Sequence, residues 1–105
     1  MNLHKLLADR AAEGRPVRVG LIGAGKFGTM FLAQARNTVG IHLLGIADLD
    51  LNRARAGCKR TGWSTEQVDA TSFPDALKSG ATFLTENTAS LIEADGLEVL
   101  IEATG

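Results

Sequence analysis

The stretch Val17-Arg18-Val19-Gly20-Leu21-Ile22-Gly23-Ala24-Gly25-Lys26-Phe27-Gly28 passes from an aliphatic, β-branched run directly into three glycines at positions 23, 25 and 28. Val17 to Ile22, interrupted by the charged Arg18, reads as a strand, and the residues from Lys26 onward read as a helix. Each glycine has its own task in such a strand–turn–helix. Gly23 permits the sharp turn, Gly25 withholds a side chain where a pyrophosphate approaches the backbone, and Gly28 lets the helix lie close to the strand. The N–H groups at the helix start then point at the phosphates, with the helix dipole assisting. Ala24, Lys26 and Phe27 complete the turn, and Lys26 adds a positive charge beside it.

With twelve glycines in 105 residues, a lone G-x-G-x-x-G is a weak signal, so its setting carries the reading. The next apolar run, Ile41 to Ala47, predicts a second buried strand that ends at Asp48, twenty positions after Gly28. A carboxylate there can accept hydrogen bonds from adenosine ribose hydroxyls, which favours NAD. Arg53 or Arg55, just downstream, could instead pair with a 2′-phosphate, or could simply be a solvated helix face. The phosphate preference stays open on these residues.

Further outward, the helix begun at Lys26 is expected to run to Asn37, with Phe27, Met30, Phe31 and Ala35 on its buried face. Asp50 to Arg60 is Ala-, Arg- and Leu-rich and predicts an exposed helix ending near Gly62. Ser72 followed by Phe73-Pro74-Asp75 predicts a capped helix up to Gly80. Ala81 to Thr85 predicts a brief strand, Asn87 to Ala94 a helix capped by Asn87, and Leu97 to Ala103 a fourth strand. Upstream, Leu3, Leu6 and Leu7 repeat at helical spacing behind Asn2, a candidate cap, until Gly14 and Pro16 end the run. That leading helix packs either across the sheet edge or against another subunit.

Alternating strands and helices predict an α/β fold, a Rossmann-type doubly wound parallel sheet in the order 3-2-1-4 with right-handed crossovers and an N-terminal helix. Residues 1–15 supply that helix, and residues 16–105 the first part of a dinucleotide-binding domain. The crevice is expected at the carboxyl ends of strands one and four, where Glu102-Ala103-Thr104-Gly105 would lie beside the nicotinamide half. Thr104 can hydrogen-bond to ribose or pyrophosphate there, and Glu102 reads as a structural acid.

Composition narrows the function classes. Eleven basic and twelve acidic residues leave a net charge of −1, so no global field recruits nucleic acid or an anionic membrane surface. No stretch reaches the roughly 20 apolar residues of a membrane helix, and charges from Lys5 to Arg15 break any signal-peptide core. The single cysteine, Cys58, cannot form an internal disulfide, which fits a cytoplasmic setting. His4, on the leading helix, and His42, in a strand, lack partners at ligand spacing, so no metal site is expected. Cys58 and Trp63 read as packing residues, and Glu86, Glu93, Asp95 and Glu98 as solvated surface acids.

On the leader Asn2-Leu3-His4-Lys5-Leu6-Leu7, the run Val17 to Gly28, Gly45-Ile46-Ala47-Asp48 and Glu102-Ala103-Thr104-Gly105, the chain resembles the N-terminal domain of homoserine dehydrogenase-like oxidoreductases. More narrowly it resembles their bacterial reductoisomerase-like branch, related in activity to 1-deoxy-D-xylulose 5-phosphate reductoisomerase and often carrying a C-terminal SAF domain. Gly23, Gly25 and Gly28 match the phosphate-binding glycines, Asp48 the ribose-side acid, and Thr104 with Gly105 the segment beside the nicotinamide.

The resemblance implies a longer, homo-oligomeric parent whose substrate domain, catalytic groups and any divalent metal lie outside this chain. It implies hydride transfer between NAD(P)H and a carbonyl of a small polar substrate, and it tips the cofactor toward NADP(H), in tension with Asp48. Two other readings stand beside it: a nucleotide-sensing regulatory module without catalysis, and a structural domain whose glycine turn holds no ligand.

Overall fold

A computed structural model of the protein describes residues 3–104, with all their side chains except that of Phe27. Asn2, the candidate cap of the first helix, and Gly105, a candidate cofactor contact, lie outside the described residues, as does the Phe27 side chain. The elements alternate in chain order: α1 (Leu3–Ala12), β1 (Val17–Ile22), α2 (Lys26–Ala35), β2 (Ile41–Ala47), α3 (Leu51–Arg60), α4 (Phe73–Ser79), β3 (Phe83–Thr85), α5 (Thr88–Ile92) and β4 (Val99–Glu102). The four strands form one parallel sheet in the order β3-β2-β1-β4, the doubly wound arrangement expected from the sequence.

Helices cover both faces, as a parallel sheet requires. On one side Leu21, Leu43 and Ile46 of the sheet pack with Leu32 of α2 and Ala54 and Cys58 of α3. On the other, Leu44 packs with Ala76 of α4 and with Phe73, Leu77 and Phe83. Two paired glycines, Gly20 of β1 and Gly45 of β2, bring this second layer in close. A Cβ on Gly20 would meet Leu91 of α5 at 3.0 Å, and one on Gly45 would meet Phe73 at 2.7 Å and Leu91 at 2.9 Å. Leu91 is fully buried as a result.

Local chemistry sets the element ends. Asp50, Ser72 and Asn87 cap α3, α4 and α5 by accepting the N–H of Arg53, Asp75 and Ser90. Gly80 ends α4 in the left-handed conformation. The register of β1 with β2 slips by one residue at Leu44, a β-bulge. Leu44 packs in the α4 layer, while Leu43 and Ile46 on either side of the bulge pack in the α2–α3 layer.

The structure corrects several expectations. Of the residues expected on the buried face of α2, Ala35 is buried and Phe31 packs against the core, but Met30 is 55% exposed and Leu32 takes the central place, because Leu32 and Ala35 stand one turn apart on the side facing the sheet. The helix also stops at Ala35 and not at Asn37. The third strand begins at Phe83 and not at Ala81, because the Thr82 N–H is taken by the Gln67 carbonyl of a 3-10 turn, Glu66–Val68, that the sequence pattern does not announce. α5 and β4 are likewise shorter than expected, separated by a turn through Gly96, whose φ is +87°.

The leading helix packs at the amino-terminal end of the sheet. Leu7 is buried, and a Cβ on Gly40, which precedes β2, would stand 2.1 Å from the Leu7 carbonyl oxygen. Glu98 is more than a solvated acid: it pairs with Arg10 of α1 at 2.8 Å and accepts the Arg18 N–H, which holds its carboxyl below the usual glutamate range. Among the described residues, no helix is long and apolar enough to cross a membrane.

Candidate functional site

β1 runs to the centre of the sheet, and the chain leaves its carboxyl end through Gly23 at φ +90°, a conformation that L side chains rarely adopt. Strand order reverses here: β2 and β3 lie to one side of β1 and β4 to the other. At such a switch point the loops leave in opposite directions and open a crevice.

The three glycines divide their work by what surrounds them. A Cβ on Gly28 would lie 2.2 Å from the Gly23 carbonyl oxygen, so α2 can approach the strand only if residue 28 has no side chain. A Cβ on Gly23 would meet Thr104 Cγ2 at 3.0 Å and the backbone of Ala103 and Thr104 at 3.2 Å, so the end of β4 closes on the turn. Around Gly25 the reverse holds, since among the described residues no atom lies within 4 Å of where its Cβ would be. Gly25 is the N-cap of α2 and supplies no side chain to the N–H groups of the first turn, which therefore face the crevice without a capping partner. Lys26 is exposed beside them.

Asp48 stands where β2 ends, and its side chain is fully buried. Oδ2 accepts the Ala24 N–H at 2.8 Å, and Oδ1 accepts the Asp50 N–H at 2.8 Å. Arg53 of α3 then donates through Nη2 to Oδ1 at 2.8 Å and through Nε to Oδ2 at 3.3 Å. Burial alone would raise the Asp48 carboxyl, but hydrogen bonds from Arg53, Asp50 and Ala24 outweigh it and hold the group below the usual aspartate range. The Arg53 guanidinium is correspondingly raised, by its hydrogen bond to Asp48 and the charge of that carboxylate, while its side chain stays 55% exposed.

Sequence reasoning places Asp48 and Arg53 separately on the cofactor. The fold puts them on each other, with the Ala24 and Asp50 N–H groups on the same carboxylate. Thr104 is similarly committed: its N–H donates to Glu102 Oε1 at 2.8 Å, and its hydroxyl bonds to the same oxygen. These bonds lower the Glu102 carboxyl, in keeping with a structural acid. The i to i+5 spacing of Asp48 and Arg53, with the Asp50 cap between them, is the sequence signal from which this pair can be found.

The remaining candidates are structural. His42 is buried, with Nε2 2.8 Å from the Ala81 carbonyl oxygen, to which that ring nitrogen donates. Burial pushes the Cys58 thiol up to about 11, and Trp63 Nε1 donates to the Leu32 carbonyl at 3.1 Å. Among the described residues, no three His, Cys, Asp or Glu side chains converge as a metal would require. Comparison with protein-family models gives no match to the chain, and comparison with curated proteins gives none either.

Proposed function

We propose that the chain binds a nicotinamide dinucleotide across the crevice between β1 and β4, as the cofactor domain of an oxidoreductase resembling the homoserine dehydrogenase-like and reductoisomerase-like enzymes. The observation that carries this reading is the contrast among the three glycines. Two are required by protein contacts, whereas Gly25 faces open space at the start of a helix whose first-turn donors have no capping side chain. A structural turn has no need of a glycine there, and a pyrophosphate does.

When bound, the cofactor supplies the hydride, and this chain's residues hold and orient it. The first-turn N–H groups of α2 would take the pyrophosphate, with Lys26 adding charge, and Thr104 lies at the mouth on the nicotinamide side. On the adenosine side the Asp48–Arg53 pair supports NADP(H). A ribose diol would have to displace Arg53 to reach Asp48, whereas a 2′-phosphate can bind the half-exposed guanidinium from outside. Substrate, catalytic groups and assembly belong to the rest of the proposed oxidoreductase.

Calorimetric titration with NADPH and NADH, on the chain and on Gly25→Val and Arg53→Gln, tests the proposal. NADPH is expected to bind more tightly than NADH. Gly25→Val should abolish both while the circular dichroism spectrum is kept, and Arg53→Gln should weaken NADPH alone, by about tenfold. Absence of binding by either cofactor, or unchanged affinity in Gly25→Val, would overturn the assignment.

A further inference from the structure

At the opposite end of the sheet, beneath the amino ends of β1 and β2, lies a cleft of about 420 Å³. Three cations far apart in sequence line it: Arg18 of β1, Arg36 at the end of α2 and Lys78 in the last turn of α4. No Asp or Glu among the described residues is part of its walls. Among the described residues none of the three cations forms an ion pair. Glu98 accepts the Arg18 N–H at 3.3 Å and feels the charge of Arg18, but its carboxylate is already bound to Arg10.

Charge bookkeeping separates this cleft from an ordinary basic helix end. The carboxyl ends of α2 and α4 reach the cleft, and each contributes roughly −0.5 of a charge, about −1 together. Three cations overcompensate that by about two charges. A second observation points the same way: Arg18 Nε is buried and has no hydrogen-bond partner among the described residues. Buried guanidinium donors are normally satisfied, so Arg18, a residue that lines the cleft, is left short of an acceptor. The other polar walls offer little competition, since Thr82 donates to the Leu43 carbonyl and His42 to that of Ala81.

We propose that this cleft binds a phosphate monoester, with Arg18, Arg36 and Lys78 as its ligands. A surplus near two charges matches a phosphate dianion, and guanidinium forks suit its oxygens. The six residues of β1 separate it from the glycine turn by roughly 20 Å, so the two sites are distinct and this one does not depend on the dinucleotide assignment.

Trp63 lines the cleft and is the only tryptophan in the sequence, so its fluorescence reports there. Titration with inorganic phosphate at constant ionic strength, against a chloride control, should give a saturable change. In the double variant Arg36→Gln/Lys78→Gln, whose replaced side chains are both exposed, affinity should fall at least about tenfold with the melting temperature kept. The Gly25→Val variant should respond as the parent does. No saturable change beyond chloride, an undiminished response in the double variant, or a response lost in Gly25→Val would each overturn the proposal.

Discussion

The Oδ2 atom of Asp48 accepts the backbone N–H of Ala24 at 2.8 Å, fastening the end of β2 to the glycine turn through a side chain shielded from solvent. Asp48→Ala leaves the Ala24 and Asp50 N–H groups without that acceptor and is expected to cost on the order of 2 kcal/mol in chemical denaturation. The carboxylate also gives the protein an acid limb. Because the folded group lies below its ordinary value of 3.8, the unfolded chain takes up the proton first. Its stabilising contribution is complete above that value and is lost as pH falls through the lowered folded one, so Asp48→Asn should flatten stability against pH below about pH 4.

Gly28→Ala sets a methyl group against the Gly23 carbonyl, a backbone atom that cannot swing away. A loss of about 1–3 kcal/mol is expected, the range for overpacking a tight contact. Gly25→Ala meets open space and should cost less than about 1 kcal/mol, the difference between glycine and alanine as an N-cap. Thermal melts of the two variants side by side check the contrast, and equal losses would contradict it.

His42 predicts a second pH dependence, near neutrality. Burial lowers it from 6.5, helped by the nearby charge of Arg18 and opposed by the bond to the Ala81 carbonyl. The unfolded chain therefore binds the proton more readily. The stabilisation is full well above the ordinary value of 6.5 and is lost as pH falls through the lowered folded one, so the melting temperature should drop as pH is brought down through 6.5. The His42→Gln variant keeps a donor for the Ala81 carbonyl without a titrating proton and should remove most of that drop.

Cys58 should be inert in the native protein. With its thiol at about 11 and its side chain buried, about one molecule in a thousand carries a thiolate at about pH 8. A disulfide-exchange reagent at that pH should label the denatured chain rapidly and the native chain only as fast as it opens. Rapid native labelling would show that α3 does not pack as described.

The doubly wound order was legible because its signals are local and repeat: aliphatic runs, glycine breaks, and the caps Ser72 and Asn87, each of which accepts an N–H as its position suggests, whereas Asp50, expected as the first residue of α3, is its cap. Boundaries were less legible where distant backbone competes for a hydrogen bond, as when Gln67 takes the Thr82 N–H and shortens β3. Met30 shows the limit of reading apolar identity as burial, since the face of α2 is chosen by where the strand lies. At the candidate site, glycine spacing revealed the turn, but the mutual engagement of Asp48 and Arg53 depends on how α3 leaves β2. Arg18, Arg36 and Lys78 are isolated in sequence and become neighbours only through the sheet and the ends of two helices.

The bulge at Leu44 sets the phase of everything that follows it in β2. Side chains alternate across a strand with a period of two, so one residue more or fewer reverses which face each later position presents. Leu44 and Gly45 both face the α4–α5 layer, so deleting Leu44 would remove the bulge and keep Gly45 opposite Gly20 and Ile46 in its layer, at the cost of the Leu44 packing. One residue more or fewer between Gly45 and Asp48 would instead reverse the later faces and turn Asp48 away from Ala24, so β2 should tolerate a change of length at its bulge and not beyond it.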